Sequence, residues 1–445
     1  MKALLIFPEL SRTNYDFIGI SEDECLELEY ISAVLKQHAH DVLILDGQIQ
    51  KINVADTLKE YKPDIVYLCG RTRQENFMLE YCALAKQLNT NIITVIGGIH
   101  AQLCPKRLYN ENVDYIIKTF DPYKIIQVLQ GDMQADGICY KNGNTWISNE
   151  IRPFDIQNLP LPDRTCFDAH PQSYRYLELE HAAWVRTAFS CPYHCEFCHR
   201  NKMNAGRYTV RNISDVVMEI KEIHAENIYI CDDNFLVNRD RIAEFVRLIK
   251  ENGIHKKYIC YGRADFIVKN KDLMHELKEI GLYYCLVGLE TTSDIGLDKY
   301  NKGSNLDNNI AAIESCNELG IQLMGLFIAD LDFKPKDFKN LYKWIVHHKL
   351  RHVAVTIYTP EFCTENYERF SDRIISDNPS HWDYLHVVAK PTHISVKHFY
   401  FCYYVLLLKL LIRAKKDGIY DFLDFKKFIL DFIKGMFMKR RNDNE

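Results

Sequence analysis

With 445 residues, 47% of them hydrophobic and 26% charged, the chain has the material for two or three packed domains and none of the bias of a disordered or fibrous sequence. A net charge of −5 gives no case for a nucleic-acid partner. The fifteen cysteines do not read as a disulfide framework, because they are spread over the chain and Cys69, Cys231, Cys260 and Cys285 fall in apolar, strand-like runs where a reduced thiol packs as a small hydrophobe. Met1-Lys-Ala-Leu-Leu-Ile-Phe-Pro has neither the apolar length nor the cleavage site of a leader, so a reduced, cytoplasmic protein is predicted.

Residues 1–132 alternate strands and helices. Lys2–Phe7 is a continuous apolar run, as a strand buried on both faces should be. A helix over 27–37 carries Leu28, Ile31, Val34 and Leu35 at helical spacing. Strands are predicted at 41–45, 64–68 and 91–96, with an amphipathic helix at 75–88 and a further apolar run at 113–117. This alternation predicts a doubly wound parallel sheet that binds ligands at the carboxyl ends of its strands. The strand at 91–96 ends in Gly97-Gly98-Ile99-His100, which either admits a ligand close to the backbone or simply turns the chain. Arg71 and Arg73 read first as exposed loop residues.

Gly137–Trp146 reads as a hairpin, with Asn142-Gly143 as a type I′ turn. Arg152-Pro153 and Leu159-Pro-Leu-Pro-Asp-Arg164 then stiffen the chain and forbid a helix. Residues 136–178 are therefore predicted to connect a first domain, 1–135, to a second, 179–375. In the second domain the pattern becomes strand–helix units of roughly 30 residues. Strands are predicted at 184–189, 227–231, 258–261, 283–287, 322–329 and 352–358, with one helix capped by Ser214 and another ending at Gly253. Six units predict an open, partial β/α barrel. Asp232, Asp233, Arg263, Glu290 and Asp330 all fall at the carboxyl ends of its strands, the active face of such barrels.

The first barrel strand runs into Ser190-Cys-Pro-Tyr-His-Cys-Glu-Phe-Cys-His-Arg200. The spacing of Cys191, Cys195 and Cys198 lets one short loop hold three soft thiolates, which suit zinc or iron–sulfur centres. A structural zinc site closes with a fourth ligand at matching spacing, and His194 and His199 are immediate neighbours of the loop cysteines, badly placed to complete a tetrahedron. The pattern points to a 4Fe–4S cluster with one iron left open. The bland alternative is a non-catalytic metal-binding sensor or scaffold.

This motif, with Phe197 before its last cysteine, resembles the signature of the radical S-adenosylmethionine (SAM) superfamily. The order His40–Asp46, Lys62–Val66, Val95–Ala101 and Val113–Ile117 resembles the cobalamin-binding domain that precedes many such enzymes. The resemblance implies a 4Fe–4S cluster, SAM and cobalamin as cofactors, with Asp232 and Asp233 near the SAM amine, Glu290 near its ribose, and Arg263 and Lys302 as further polar contacts. It places Gly97, Gly98 and His100 beside cobalamin. A D-x-H-x-x-G motif is missing, so no protein imidazole is expected on cobalt. The implied activity is methylation of an unactivated carbon, with radical oxidation or cyclisation without methyl transfer as the alternative, and an external electron donor as partner. The substrate class stays open between a small molecule, a lipid and a peptide.

Residues 376–445 are predicted to be helical. Phe399–Ile412 is apolar but too short to span a bilayer. A second apolar face carries Phe422, Phe425, Ile429, Phe432, Ile433 and Met436. From Ser395 onward eight Lys and three Arg face five Asp and one Glu, a net +5. Such a tail suits packing on the barrel or a dimer partner first, and a peripheral contact with an anionic membrane surface second.

Overall fold

The computed structural model describes residues 1–10, 21–362, 364–419 and 421–422. Strand β1, Lys2–Phe7, is buried from Ala3 onward, with Ala3, Leu5 and Phe7 facing one apolar layer and Leu4 and Ile6 another. Helix α1, Leu26–Gln37, fills the first layer and helix α2, Glu75–Leu88, the second. β2 (Asp41–Asp46), β3 (Ile65–Cys69), β4 (Ile93–Gly97) and β5 (Tyr115–Ile117) run parallel to β1 in the order β2-β1-β3-β4-β5. The order reverses between β1 and β3, which opens a crevice at their carboxyl ends.

The hairpin expected within the connection instead extends this sheet. β6 (Ile138–Asn142) pairs antiparallel with β5, and β7 (Thr145–Ser148) pairs with β6. Asn142 lies opposite Thr145, so the two turn residues are Gly143, at φ 63°, and Asn144, one residue beyond the expected pair. An antiparallel edge added to a parallel sheet cannot be read from spacing, because it depends on which strand the hairpin meets.

Six parallel strands form the second sheet in chain order: β8 (Ala182–Val185), β9 (Asn227–Ile230), β10 (Lys257–Gly262), β11 (Leu282–Glu290), β12 (Gln322–Ala329) and β13 (His352–Ile357). The strand expected at 184–189 is divided. After Val185 the chain leaves the sheet, and Ala188–Phe189 pairs antiparallel with Thr209–Val210, which turns the cysteine loop across the barrel mouth. The next helix, α4 (Ile213–Glu222; α3 is Gly98–Leu103), starts at Asn212, so Ser214 lies within its first turn and is not its cap.

Six strands leave a barrel with two open edges, and each is met by groups from outside the sheet. At β8, Glu24 accepts from the Trp184 N–H and Arg164 Nη2 donates to the Trp184 carbonyl at 2.8 Å. At β13, the Ile357 N–H donates to the Tyr384 carbonyl at 2.7 Å and the Tyr403 hydroxyl to the Val355 carbonyl at 2.7 Å. Glu24 precedes α1 and Arg164 lies in the connection, so closing the first edge also fastens the two domains together. The lower lumen is filled with Tyr229, Ile259, Tyr284, Leu286 and Met324, joined by Leu26 and Tyr30 of α1.

Tyr403 belongs to helix α6, Val396–Lys416, which is longer than the expected 399–412 and packs on helix α5, Pro335–His347. Among the described residues no helix is long and apolar enough to cross a membrane. The second tail helix expected beyond Phe422 lies outside the described residues.

Candidate active site

The cysteine loop is held by its neighbours. Glu196 N donates to the Tyr300 carbonyl at 3.0 Å, and Asn301 and Asn366 donate to the carbonyls of His194 and Glu196 at 2.8 and 2.5 Å. Cys191, Cys195 and Cys198 are half-buried free thiols. Burial raises Cys191 and pushes Cys198 up to about 12, so each needs a cationic partner to persist as thiolate, and an iron centre is one. Among the described residues no three Cys, His, Asp or Glu side chains converge on one point.

Beyond β9 the three residues Asp232-Asp233-Asn234 diverge in role. Asp232, expected at the SAM amine, turns back into the protein. Its Oδ1 accepts from Thr187 N at 2.7 Å and Ala188 N at 2.9 Å, and its Oδ2 from Thr187 Oγ1 at 2.5 Å, which holds the strand that leads to the cysteines. Asp233 faces Arg200, with Nη1 to Oδ1 at 3.2 Å, and its Oδ2 is buried without a hydrogen-bond partner. Asn234 is 4% exposed and has both amide atoms buried without partners. Nothing in the sequence reading marked it, although it sits in the same strand-end run.

Arg263 lies over the Tyr193 ring of the cysteine loop, 4.0 Å from its centroid. Its Nε reaches Asp265 at 2.9 Å and its Nη2 the Lys302 carbonyl at 2.6 Å, while Nη1 is buried without a partner. Glu290 sits at φ 61° where the register of β11 against β12 shifts, a bulge that re-aims its side chain. There it meets Lys302 at 2.6 Å. A Cβ on Gly288 would stand 2.1 Å from Glu290 Oε1 and 2.7 Å from Lys302 Nζ, so the pair lies across the face of that glycine. Asp330 accepts from Lys299 at 2.8 Å and from the Tyr300 hydroxyl at 2.5 Å, which holds the segment against the cysteine loop.

On the first domain, the residues expected beside cobalamin are used by the protein itself. A Cβ on Gly97 would lie 1.9 Å from Tyr67 Oη, and one on Gly98, at φ 88°, would lie 2.8 Å from Gly70 N. Both glycines therefore serve close packing at the end of β3. His100 is fully buried, with Nε2 2.6 Å from Glu75 and Nδ1 3.1 Å from Thr72 Oγ1, so neither ring nitrogen is left for another ligand. What does face the barrel is Arg71, ion-paired with Asp23 and 45% exposed, together with Glu27. Burial lifts Glu27 to about 7, opposed by Arg186 from the loop after β8. The Arg186 guanidinium lies 5.6 Å from the Phe120 ring of the first domain and 5.8 Å from Phe189 of the second. Ile99 and Leu103, from α3 behind the glycine pair, pack with Phe189 and Met203 around the cysteine loop. The carboxyl ends of the two sheets thus meet through these contacts.

Residues 185–345 match the model of the radical SAM superfamily, and residues 24–121 match the B12 binding domain. The chain is a radical SAM enzyme with an N-terminal cobalamin-binding domain. Its cofactors are a 4Fe–4S cluster, SAM and cobalamin. Hopanoid C-3 methylase of Methylococcus capsulatus is 25% identical over 389 residues, 85% of this chain and 74% of that protein. The anaerobic magnesium-protoporphyrin IX monomethyl ester cyclase of Synechocystis sp. is 23% identical over 417 residues, 89% of this chain and 83% of that protein. The radical SAM methyltransferase TsrM from Kitasatospora setae, solved with cobalamin and a [4Fe-4S] cluster, has a TM-score of 0.67 at 15% identity and covers 89% of this chain and 84% of its own. OxsB, solved with aqua-cobalamin and SAM, has a TM-score of 0.65 at 17% identity, and the match spans 94% of this chain but 61% of OxsB. The radical SAM match begins at Val185, the last residue of β8, where the chain turns toward the cysteines.

One further group of this radical SAM enzyme stands at the mouth. Glu361, in the loop after β13, is 6% exposed and hydrogen-bonded to the Tyr384 hydroxyl, and burial pushes it up to about 7 against the pull of Arg200. Neither Glu361 nor Tyr384 was legible, because they lie 23 residues apart on opposite sides of the segment outside the barrel.

Proposed function

We propose that the enzyme is a C-methyltransferase acting on an unactivated carbon of a small-molecule or lipid substrate held between the two domains. The carrying observation is that the segment leading into the cysteine loop lies against the carboxyl end of the first-domain sheet, with Arg186 between Phe120 and Phe189. When bound, the cofactors supply hydrogen abstraction by a deoxyadenosyl radical and a methyl group carried on cobalt. Reacting groups need near-contact placement, which the Glu24–Arg164–Trp184 fastening between domains supports.

In this reading Cys191, Cys195 and Cys198 hold the cluster. Asp233 Oδ2 and the Asn234 amide receive the SAM ammonium, and Arg263 Nη1 its carboxylate, since an orphaned acceptor and an orphaned guanidinium N–H match the two ends of an amino-acid head group. Glu290, held by Lys302, takes the ribose hydroxyls. Glu361 and Tyr384 offer the substrate a hydrogen-bonding pair. The methylase and methyltransferase relatives support methyl transfer, while the cyclase relatives favour a second reading, radical chemistry without it.

One assay separates the two. With SAM carrying a labelled methyl group and a low-potential reductant, a methylase forms deoxyadenosine and S-adenosylhomocysteine in near-equal amounts and the label appears in product. Deoxyadenosine alone, with a product of unchanged carbon count, overturns methyl transfer. A Cys191→Ala, Cys195→Ala, Cys198→Ala protein should retain no reconstituted cluster iron and form no deoxyadenosine.

A further inference from the structure

Helix α6 carries Lys397, Lys409, Arg413, Lys415 and Lys416 and no acidic residue in its 21 positions. Its inner face is fully used, with Phe399, Tyr403 and Leu406 buried in the barrel's outer layer. Its outer face is not polar. Phe401 is 65% exposed, Val405 37% and Ile412 47%, with half-buried Leu408 between them. Positions 401, 405, 408 and 412 are spaced four, three and four residues apart, so they form one stripe along the helix.

Lysines rim that stripe. Lys339 of the neighbouring α5 lies close enough to Cys402 to affect it, and Lys409 stands 5.5 Å from the Tyr342 ring of the same helix. Lys336 and Lys343 are exposed on α5 as well. The acids nearby are engaged, Asp337 with the Lys334 N–H at 2.8 Å and Asp417 with Arg413 at 3.5 Å. Residues 395–422 carry five cations against Asp417 and Asp421, in a chain whose total charge is −5.

We propose that the outer face of α6, with the lysines of α5, seats the enzyme on an anionic phospholipid surface. The stripe enters the headgroup region, while the lysine stems lie along it and their ammonium groups meet lipid phosphates. Two copies docked through this face would bring like-charged rims together. An anionic bilayer complements both features of the face.

The test is co-sedimentation of the reconstituted full-length enzyme with phosphatidylcholine vesicles and with vesicles that also contain phosphatidylglycerol. Wild type should bind the phosphatidylglycerol vesicles about tenfold or more tightly, and binding should weaken as salt is raised. Phe401→Asp/Val405→Asp/Ile412→Asp should lose binding, and Lys397→Glu/Lys409→Glu/Lys416→Glu should lose the preference for anionic lipid. Both variants should keep their iron and their deoxyadenosine formation, which reports that the fold is intact. Unchanged vesicle binding by the Asp variant, or equal or absent wild-type binding to the two vesicle types, overturns the proposal. So does a wild-type dimer in light scattering that the Asp variant converts to monomer.

Discussion

Asn234 illustrates how a functional group reveals itself through an energetic fault. A buried amide with no protein partner at either end costs roughly 1–3 kcal/mol. Asn234→Leu should therefore stabilise the apo chain in urea unfolding and weaken SAM binding by roughly tenfold or more, with cluster iron unchanged. A variant that is merely less stable, with SAM affinity intact, removes Asn234 from the site. Glu361 carries a second prediction at this scale. Its folded pKa of about 7 lies above the unfolded carboxyl value, so the folded state binds the proton more tightly. Its contribution is fully present below about pH 4.5 and is lost as pH rises through about 7, up to roughly 3 kcal/mol by the usual conversion. Glu361→Gln should flatten that part of the stability profile of the apo protein between pH 5 and 8, and an unchanged slope would place the titration elsewhere.

At the scale of the element, β11 does more than supply a strand. Its register shift between Gly288 and Glu290 sets the carboxylate beside Lys302, and Gly288 leaves the space the pair occupies. Gly288→Ala puts a methyl group within 2.1 Å of Glu290 Oε1 and should separate the pair. The expected result is a fall in deoxyadenosine formation of tenfold or more with full cluster iron, measured in single turnover. Loss of iron together with activity would instead report collapse of the cysteine loop.

At the scale of the molecule, one arginine ties the domains. Arg164 reaches Glu24 of the first domain, the Trp184 carbonyl of β8 at 2.8 Å and Glu219 of α4 at 2.9 Å, and Arg211 completes Glu219 at 2.6 Å. Three carboxylates, Glu24, Glu29 and Glu219, surround these two guanidiniums, and burial together with Glu24 raises Glu29, so a proton retained there balances the cluster. Arg164→Met should destabilise the protein by about 3–5 kcal/mol, because it leaves buried carboxylates unpaired. Glu29→Gln should be near neutral at low pH and stabilising at high pH. Urea unfolding of both variants at two pH values checks the balance, and equal effects of the two would contradict it.

Much of this was legible in the chain alone, for a common reason. Strand periodicity, the alternation of strands and helices, and the spacing of Cys191, Cys195 and Cys198 are local patterns, and the chemistry they imply needs only neighbours in sequence. The carboxyl-end placement of Asp233, Arg263 and Glu290 follows from the same alternation. What a side chain does once there depends on partners that folding brings from far away. Gly97 and Gly98 pack their Cα faces against Tyr67 and Gly70, and both His100 ring nitrogens meet Glu75 and Thr72, partners that spacing does not reveal. Asp232 is claimed by Thr187 from 45 positions upstream, and Arg164 binds Glu24 across 140. The sequence marked the cluster ligands because a metal motif is short-range, and it gave SAM and cobalamin through the family resemblance. Only the tertiary structure decided which polar groups remain unpaired, since pairing is a property of the closed fold.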